Sequence, residues 1–304
     1  MSMRAAAVHD VAAARRAFVE ACTLDVETRK PGNVSRAAPG HGMDADLFVA
    51  SAAAAAAPLF SLGRRVGARI EGAVRASVAA AGCNTNLGIV LLCAPLAAAC
   101  ERVPADGGAA ALHATLRGVL DALDVEDARA AYRAITLAHP AGLGTVPEHD
   151  VASRARIGLR EAMVLAADRD RIAWQYAHGY ADVFELGLPA FRTALAAAGA
   201  AADAPARAMQ RVHLEFLAAI PDSHIVRKHG RAEAHCVMAE AVPWRARARH
   251  GEALDEDPAF AAWDASLKAR GLNPGTSADL AVATAFVAAA EDLGVSTDPG
   301  RHGT

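Results

Sequence analysis

The chain has 304 residues, 53% hydrophobic and 21% charged, with a mean hydropathy of +0.17, a composition that supports a sizeable core and excludes a disordered tail. Its 31 basic residues stand against 34 acidic ones, a net charge of −3 that excludes a protein devoted to wrapping nucleic acid. Eighty alanines and only 5% aromatics exclude an all-β fold, because alanine has the best helix propensity and strands draw on β-branched and aromatic residues.

Apolar residues recur at helical spacing over 8–26, 47–62, 64–81, 87–101, 109–122, 124–138, 148–167, 169–186, 189–198, 207–220, 231–250, 258–270 and 277–292. Proline or glycine marks many of the joints, and no strand-like run interrupts the series. The pattern predicts an all-α fold, a single compact domain of about a dozen helices over residues 1–304. The low-complexity joints 196–205 and 252–258 are short enough to be interhelical loops. No window holds about 18 uninterrupted apolar residues, so no membrane span is expected. The N-terminal segment carries Arg4, Asp10, Arg15 and Arg16 without the apolar stretch of a signal peptide, and a cytoplasmic location is expected. Cys22, Cys83, Cys93, Cys100 and Cys236 form no C-x-x-C and read as small buried hydrophobes. Alanine-rich faces leave homo-oligomer formation open.

Against this background five polar clusters stand out, at turns and helix ends where a scaffold presents binding groups. The first is Lys30-Pro31-Gly32-Asn33-Val34-Ser35-Arg36, followed closely by Asp44; Lys30 is one of only three lysines beside 28 arginines, a compact ammonium at a Pro-Gly turn that suits a phosphate or an ordinary solvated turn. The second, Gly82-Cys83-Asn84-Thr85-Asn86-Leu87-Gly88, opens an apolar helix, where free N–H groups make either an anion site or a plain N-cap by Thr85 or Asn86. Upstream of it, Glu71 and Arg75 stand i, i+4, the spacing of an exposed ion pair. In the third, His178, Asp182 and Glu185 are spaced to share one face of a helix, and two carboxylates one turn apart suit Mg²⁺ held partly through water and substrate phosphates. The fourth runs from Pro221 to Arg231 through Asp222, Ser223, His224, Arg227 and Lys228, and reads as an interhelical loop. In the fifth, Leu272-Asn273-Pro274-Gly275-Thr276-Ser277-Ala278-Asp279-Leu280, a turn leads into a helix with Thr276 or Ser277 as N-cap.

Taken together, these motifs resemble the ATP:dephospho-CoA triphosphoribosyltransferase family. The resemblance runs from about Leu24 to Leu280 and rests on Lys30-Pro31-Gly32-Asn33-Val34 for K-P-G-x-V and Asn84-Thr85-Asn86-Leu87-Gly88 for N-T-x-x-G. It rests further on Asp222-Ser223-His224 with Arg227 and Gly230 for D-T-x…R…G, and on Asn273-Pro274-Gly275 with Ser277-Ala278-Asp279-Leu280 for N-P-G-x-S-A-D-L. It implies an all-helical enzyme that displaces adenine from C1′ of ATP with the hydroxyl of dephospho-CoA, keeping the triphosphate on the transferred ribose. ATP and a small-molecule acceptor are then the partners, with no nucleic acid and no membrane, and Mg²⁺ accompanies ATP. Glu71, Asp182 and Asp279 are the catalytic candidates; Asp44 and Glu185 are the metal candidates, although each of these acids could serve as ligand or as base. Lys30, Asn33, Arg36, Asn84, Asn86, Asp222, His224, Arg227, Lys228, Asn273 and Ser277 are the expected substrate-binding residues.

One segment departs from the family. Where better-known members carry A-R-G-E-A and then G-F-P, this chain has Tyr180-Ala181-Asp182-Val183-Phe184-Glu185 and then Gly187-Leu188-Pro189. The missing arginine bears on the acceptor, so a related ATP-dependent transferase of one-carbon carrier (tetrahydromethanopterin-type) cofactor synthesis is the first alternative. A metal phosphohydrolase of the HD type is the second, carried by His149-Asp150 with His113, His139 and His178 as further ligands. A non-enzymatic helical scaffold is the third.

Overall fold

The computed structural model describes residues 10–40, 45–104, 107–140, 151 and 153–295, and within these no strand forms beyond an isolated bridge between Ser35 and Ala38. The described α-helices are α1 (Val11–Glu27), α2 (Ala45–Leu59), α3 (Val66–Ala81), α4 (Leu87–Cys100), α5 (Gly108–Asp121), α6 (Val125–Ala138), α7 (Leu159–Val164), α8 (Arg171–Ala177), α9 (Leu188–Ala198), α10 (Ala204–Leu217), α11 (Ser223–His229), α12 (Arg231–Arg249), α13 (Pro258–Ala269) and α14 (Gly275–Val295). No described helix is long and apolar enough to cross a membrane.

Two helices organise the rest. In α4 every residue but Gly88 is buried, as an element apolar on all sides requires. Its Pro95 has no N–H to give to the carbonyl of Leu91, and its ring crowds that turn. The gap is filled from outside the helix: the Tyr176 hydroxyl donates to Leu91 O at 2.6 Å and the Tyr180 hydroxyl to Leu92 O at 2.9 Å. Both tyrosines are fully buried. α14 packs against α1, α4, α5, α9 and α10. Phe286 from α14 meets Phe18 of α1 and Phe60 at the end of α2 edge-on, with ring centroids 6.3 and 5.7 Å apart. Alanine supplies much of this interior, and glycine allows the closest approach between helices. A Cβ on Gly67 of α3 would lie 2.5 Å from the backbone of Asp127 in α6.

The helix expected over 169–186 is interrupted. α8 ends at Ala177, Gly179 and Tyr180 follow in left-handed conformation (φ 63° and 64°), and the chain continues as a π-helix over Asp182–Gly187. A non-glycine residue in that region is strained, and here the buried Tyr180–Leu92 hydrogen bond holds it. Three other boundaries differ. Within 148–167 only Leu159–Val164 of the described residues is helical, the segment read as a loop at 221–231 contains α11, and α14 begins at Gly275, ahead of the expected 277. Cys22, Cys93 and Cys100 are buried as expected, whereas Cys83 and Cys236 are exposed; all five are free thiols.

Candidate active site

Four of the five polar clusters meet at the start of α14. Gly32 (φ 80°) presses onto the loop before α14 so closely that a Cβ would lie 2.7 Å from Leu272 O and 2.8 Å from Pro274 Cδ. Its N–H donates to Asp264 Oδ1 at 2.8 Å, and Asn33 Nδ2 donates to Asn273 Oδ1 at 2.8 Å. Asp222 joins the next pair of motifs. Its Oδ1 accepts from His224 N and Ile225 N (2.9 and 3.2 Å), capping α11, while its Oδ2 accepts from Ser277 N and Oγ (both 2.8 Å). One buried carboxylate thus caps two helix starts, each cap contributing about 1 kcal/mol. The cap expected from Thr276 or Ser277 comes instead from across the fold, because both of those residues lie inside the helix.

The junction with α4 is closer still. A Cβ on Gly88 would fall 2.0 Å from Asp279 Oδ2 and 2.8 Å from Ile172 Cδ1, so only glycine lets the Asp279 carboxyl lie against the first turn of α4. That end of a helix carries partial positive charge. Asp279 is half-buried and makes no hydrogen bond or ion pair among the described residues. Burial pushes its carboxyl well above the usual range; the carboxylates of Asp25, Asp222 and Asp170 push the same way, and Arg227 opposes them.

Three aspartates that support the junction escaped the sequence reading. Asp170 caps α8 through Oδ1, from Ile172 N and Ala173 N at 2.9 and 3.1 Å, and binds Arg227 Nη1 through Oδ2 at 2.6 Å. Its signal was an aspartate at the start of a helix-period run. Asp25, buried on α1, takes the Lys30 ammonium at 3.1 Å, with its carboxyl pushed up by burial against the pull of that ammonium. Five positions of spacing were the only hint of that pair. Asp264 accepts from Gly32 and from Lys268 Nζ (2.9 Å), a contact 232 positions apart that no local pattern announces.

The other expected residues fall in different settings. Lys30 is fully buried, its charge committed to α1 through Asp25 and a 2.6 Å bond to Asp25 O. Arg36 is exposed and pairs with Glu27 and Asp46 at 2.7 and 2.9 Å. Asn84 Oδ1 accepts from Leu87 N at 3.2 Å; Asn86 Oδ1 accepts from Ser77 Oγ at 2.8 Å, and its buried Nδ2 has no partner among the described residues. The ring of His224 stands over Gly275, and Lys228 is exposed beside Arg227. Glu71 belongs to another part of the molecule, between α3 and α6, where Arg133 takes both its oxygens (2.9 and 2.7 Å) and holds its carboxyl below the usual range. His178, Asp182 and Glu185 do not share a face, because the left-handed pair intervenes. Asp182 is buried and clamped by Arg171 (2.6 and 2.8 Å) and Gln175 (2.5 Å), whereas Glu185 is exposed. Asp44, His149 and Asp150 lie outside the described residues. His113 donates to Gly179 O and stacks on Phe184, His178 stacks on Trp174, and His139 ends α6. Among the described residues no group of three or more His, Cys, Asp or Glu could hold a metal ion.

The family model of the ATP:dephospho-CoA triphosphoribosyl transferases matches residues 12–297, a span that includes all four converging motifs. The chain belongs to that family. It is accordingly a transferase of the triphosphoribosyl-dephospho-CoA synthase kind, which excludes the scaffold and phosphohydrolase alternatives. A crystal structure of an Archaeoglobus fulgidus protein, provisionally assigned as a triphosphoribosyl-dephospho-CoA synthase, shares the fold with a TM-score of 0.61. It is 24% identical over 80% of this chain and 98% of its own. No curated protein matches the sequence. The segments of this chain that stand for the family's K-P-G-x-V, N-T-x-x-G, D-T-x…R…G and N-P-G-x-S-A-D-L, far apart along the chain, are the ones the fold brings to a single junction.

Proposed function

We propose that this junction is where the triphosphoribosyl group of ATP passes to the hydroxyl of a dephospho-CoA-type acceptor, with Asp279 as the catalytic carboxylate. The observation that carries the reading is a carboxyl with no partner among the described residues, pushed upward by burial and held against α4 by the absence of a side chain at position 88. The bond from C1′ to adenine breaks and a bond from C1′ to the acceptor oxygen forms. The acceptor proton goes to Asp279, and adenine leaves with the electron pair and takes a proton from solvent, to which Asp279 returns its own. An oxocarbenium-like ribose is stabilised by the same carboxylate, and a base with a raised pKa is better matched to proton transfer near neutral pH. Arg227, oriented by Asp170, and the exposed Lys228 beside it are the cations we assign to the triphosphate.

Mg²⁺ enters as part of the substrate, on the phosphate oxygens of ATP. Glu185 is exposed and apart from the clamped Asp182, which supports holding the cation through phosphate and water and argues against a preformed protein cage. The reading also assigns the enzyme to the cytoplasm, with ATP and a small-molecule acceptor as partners and neither nucleic acid nor membrane required. The test is incubation with MgATP and dephospho-CoA, with mass detection of products. Free adenine and a triphosphoribosylated acceptor are expected; ADP or phosphate in place of adenine overturns the reading. A tetrahydromethanopterin-type precursor in the same assay, used in preference to dephospho-CoA, would move the acceptor assignment and leave the donor chemistry standing.

A further inference from the structure

Glu71 leads to a part of the molecule that the transfer reaction does not use. Near the tight contact of Gly67 with Asp127, a cleft of about 940 Å³ lies between α3 and α6, bordered by Val151, Ser153, Arg154 and Ala155. Arg75 of α3, Arg129 and Arg133 of α6, and Arg154 line it, with Glu71 and Glu126. Four cations against two carboxylates leave a surplus of two positive charges (4 − 2) in a chain whose net charge is −3. With 34 acidic residues to draw on, composition does not force that imbalance. Arg129 and Arg133 stand four residues apart on α6; Glu126 pairs with the first and Glu71 with the second, and Glu71 is shared with Arg75, so two carboxylates serve three of the four cations.

The geometry is that of a clamp. Arg133 offers Nε and Nη2 side by side to the Glu71 carboxylate, and Arg75 reaches the same group at 3.3 Å. A planar fork presented this way fits two oxygens of a phosphate as well as those of a carboxylate. Arg75 and Arg133 are both more than half exposed, so a solute reaches them without any rearrangement of the core. Tyr132, Leu137 and Val151 add an apolar wall, the combination of apolar lining and a few directed polar groups that small-molecule sites share. None of the lining residues belongs to the α14 junction.

The geometry points to this cleft as a second binding site, separate from the α14 junction, for a small molecule bearing two or more phosphate groups. Glu71 holds the arginine fork in place until the anion takes it. This assignment is independent of the transfer reaction.

The probe is inorganic pyrophosphate, titrated calorimetrically without Mg²⁺ into the full chain and its variants, with inorganic phosphate alongside. Saturable pyrophosphate binding is expected, weakened by about tenfold or more in Arg133→Ala and tightened severalfold in Glu71→Gln, where the competing carboxylate is neutral. Pyrophosphate held at the junction is a separate event that Arg227→Ala weakens, and the same variant should change the affinity of the cleft by less than about twofold. Arg75→Ala, at a largely exposed position, repeats the test should Arg133→Ala fail to fold. Absence of saturable binding overturns the proposal. So does loss of binding in Arg227→Ala with Arg133→Ala unaffected, because the anion would then sit at the junction. Phosphate binding as tightly as pyrophosphate overturns the requirement for a second phosphate group.

Discussion

Asp279 and Glu71 are the same kind of group in opposite surroundings. Asp279 is half-buried among Asp25, Asp170 and Asp222 with no hydrogen bond of its own, and its carboxyl is pushed up. Glu71 lies between two arginines in an open cleft, and its carboxyl is pulled down. The first is prepared to accept a proton; the second is prepared only to remain charged. In the sequence both were acids near a motif, and their roles separate through the charges and burial that packing supplies.

The largest effect that could break this contrast comes from Asp279→Asn. Adenine release is expected to fall by about 10²–10⁴-fold, the range for loss of a positioned general base. Stability should move the other way. The folded-state pKa of Asp279 lies above that of the unfolded chain, so ionising it costs folding free energy as pH rises past the ordinary carboxylate range, and asparagine removes that cost at neutral pH. A melting temperature at pH 7 that holds or rises, with the advantage vanishing at acid pH, is the expected result; a clear drop would mean that the carboxylate holds the fold together.

Next is Gly88→Ala. The new methyl group would occupy the position of Asp279 Oδ2, so the carboxyl must shift. Activity should fall on the order of 10²-fold, as a misplacement of about 1 Å can produce, and stability by about 1–3 kcal/mol from overpacking. Thermal melting and adenine release measured on one preparation separate the two effects.

Asp170→Asn sharpens the comparison further, since asparagine still caps α8 while releasing the charge that orients Arg227. A decrease in kcat/KM of about tenfold is expected. Removing a like charge should also move the acid limb of the pH–rate profile downward, because Asp170 raises the Asp279 pKa, whereas Arg227→Ala should move that limb upward. A purely structural role for Asp170 leaves the limb where it was.

The smallest effect belongs to Glu71→Gln. The ion pairs lost there are solvent-exposed and worth about 0–1 kcal/mol, and adenine release should stay within about threefold of the unaltered chain. A loss comparable to that of Asp279→Asn would return Glu71 to the catalytic set and erase the contrast.

The helices were largely legible because their signals are local: alanine content, period-3.6 apolar spacing, and glycine or proline at the joints. The residues of the junction were legible too, as glycine-bearing loops among alanine helices, but several of their roles were not. Lys30 looked like a free ammonium and is fully buried against Asp25. Asp222 looked like a ligand for substrate and caps two helices at once. The helix break at Gly179 and Tyr180 went unseen, because the left-handed conformation of Tyr180 depends on a hydrogen bond to Leu92, 88 positions away.

The sequence by itself determined the helical class and the polar segments that carry function, since propensity, periodicity and turn chemistry act over a few residues. Tertiary structure alone decided that Gly88 yields its space to the Asp279 carboxyl, and that Asp170 and Asp264 support motifs 57 and 232 positions away. A pKa or a clamp depends on distances between groups remote in the chain, and those distances come into being only when the helices pack.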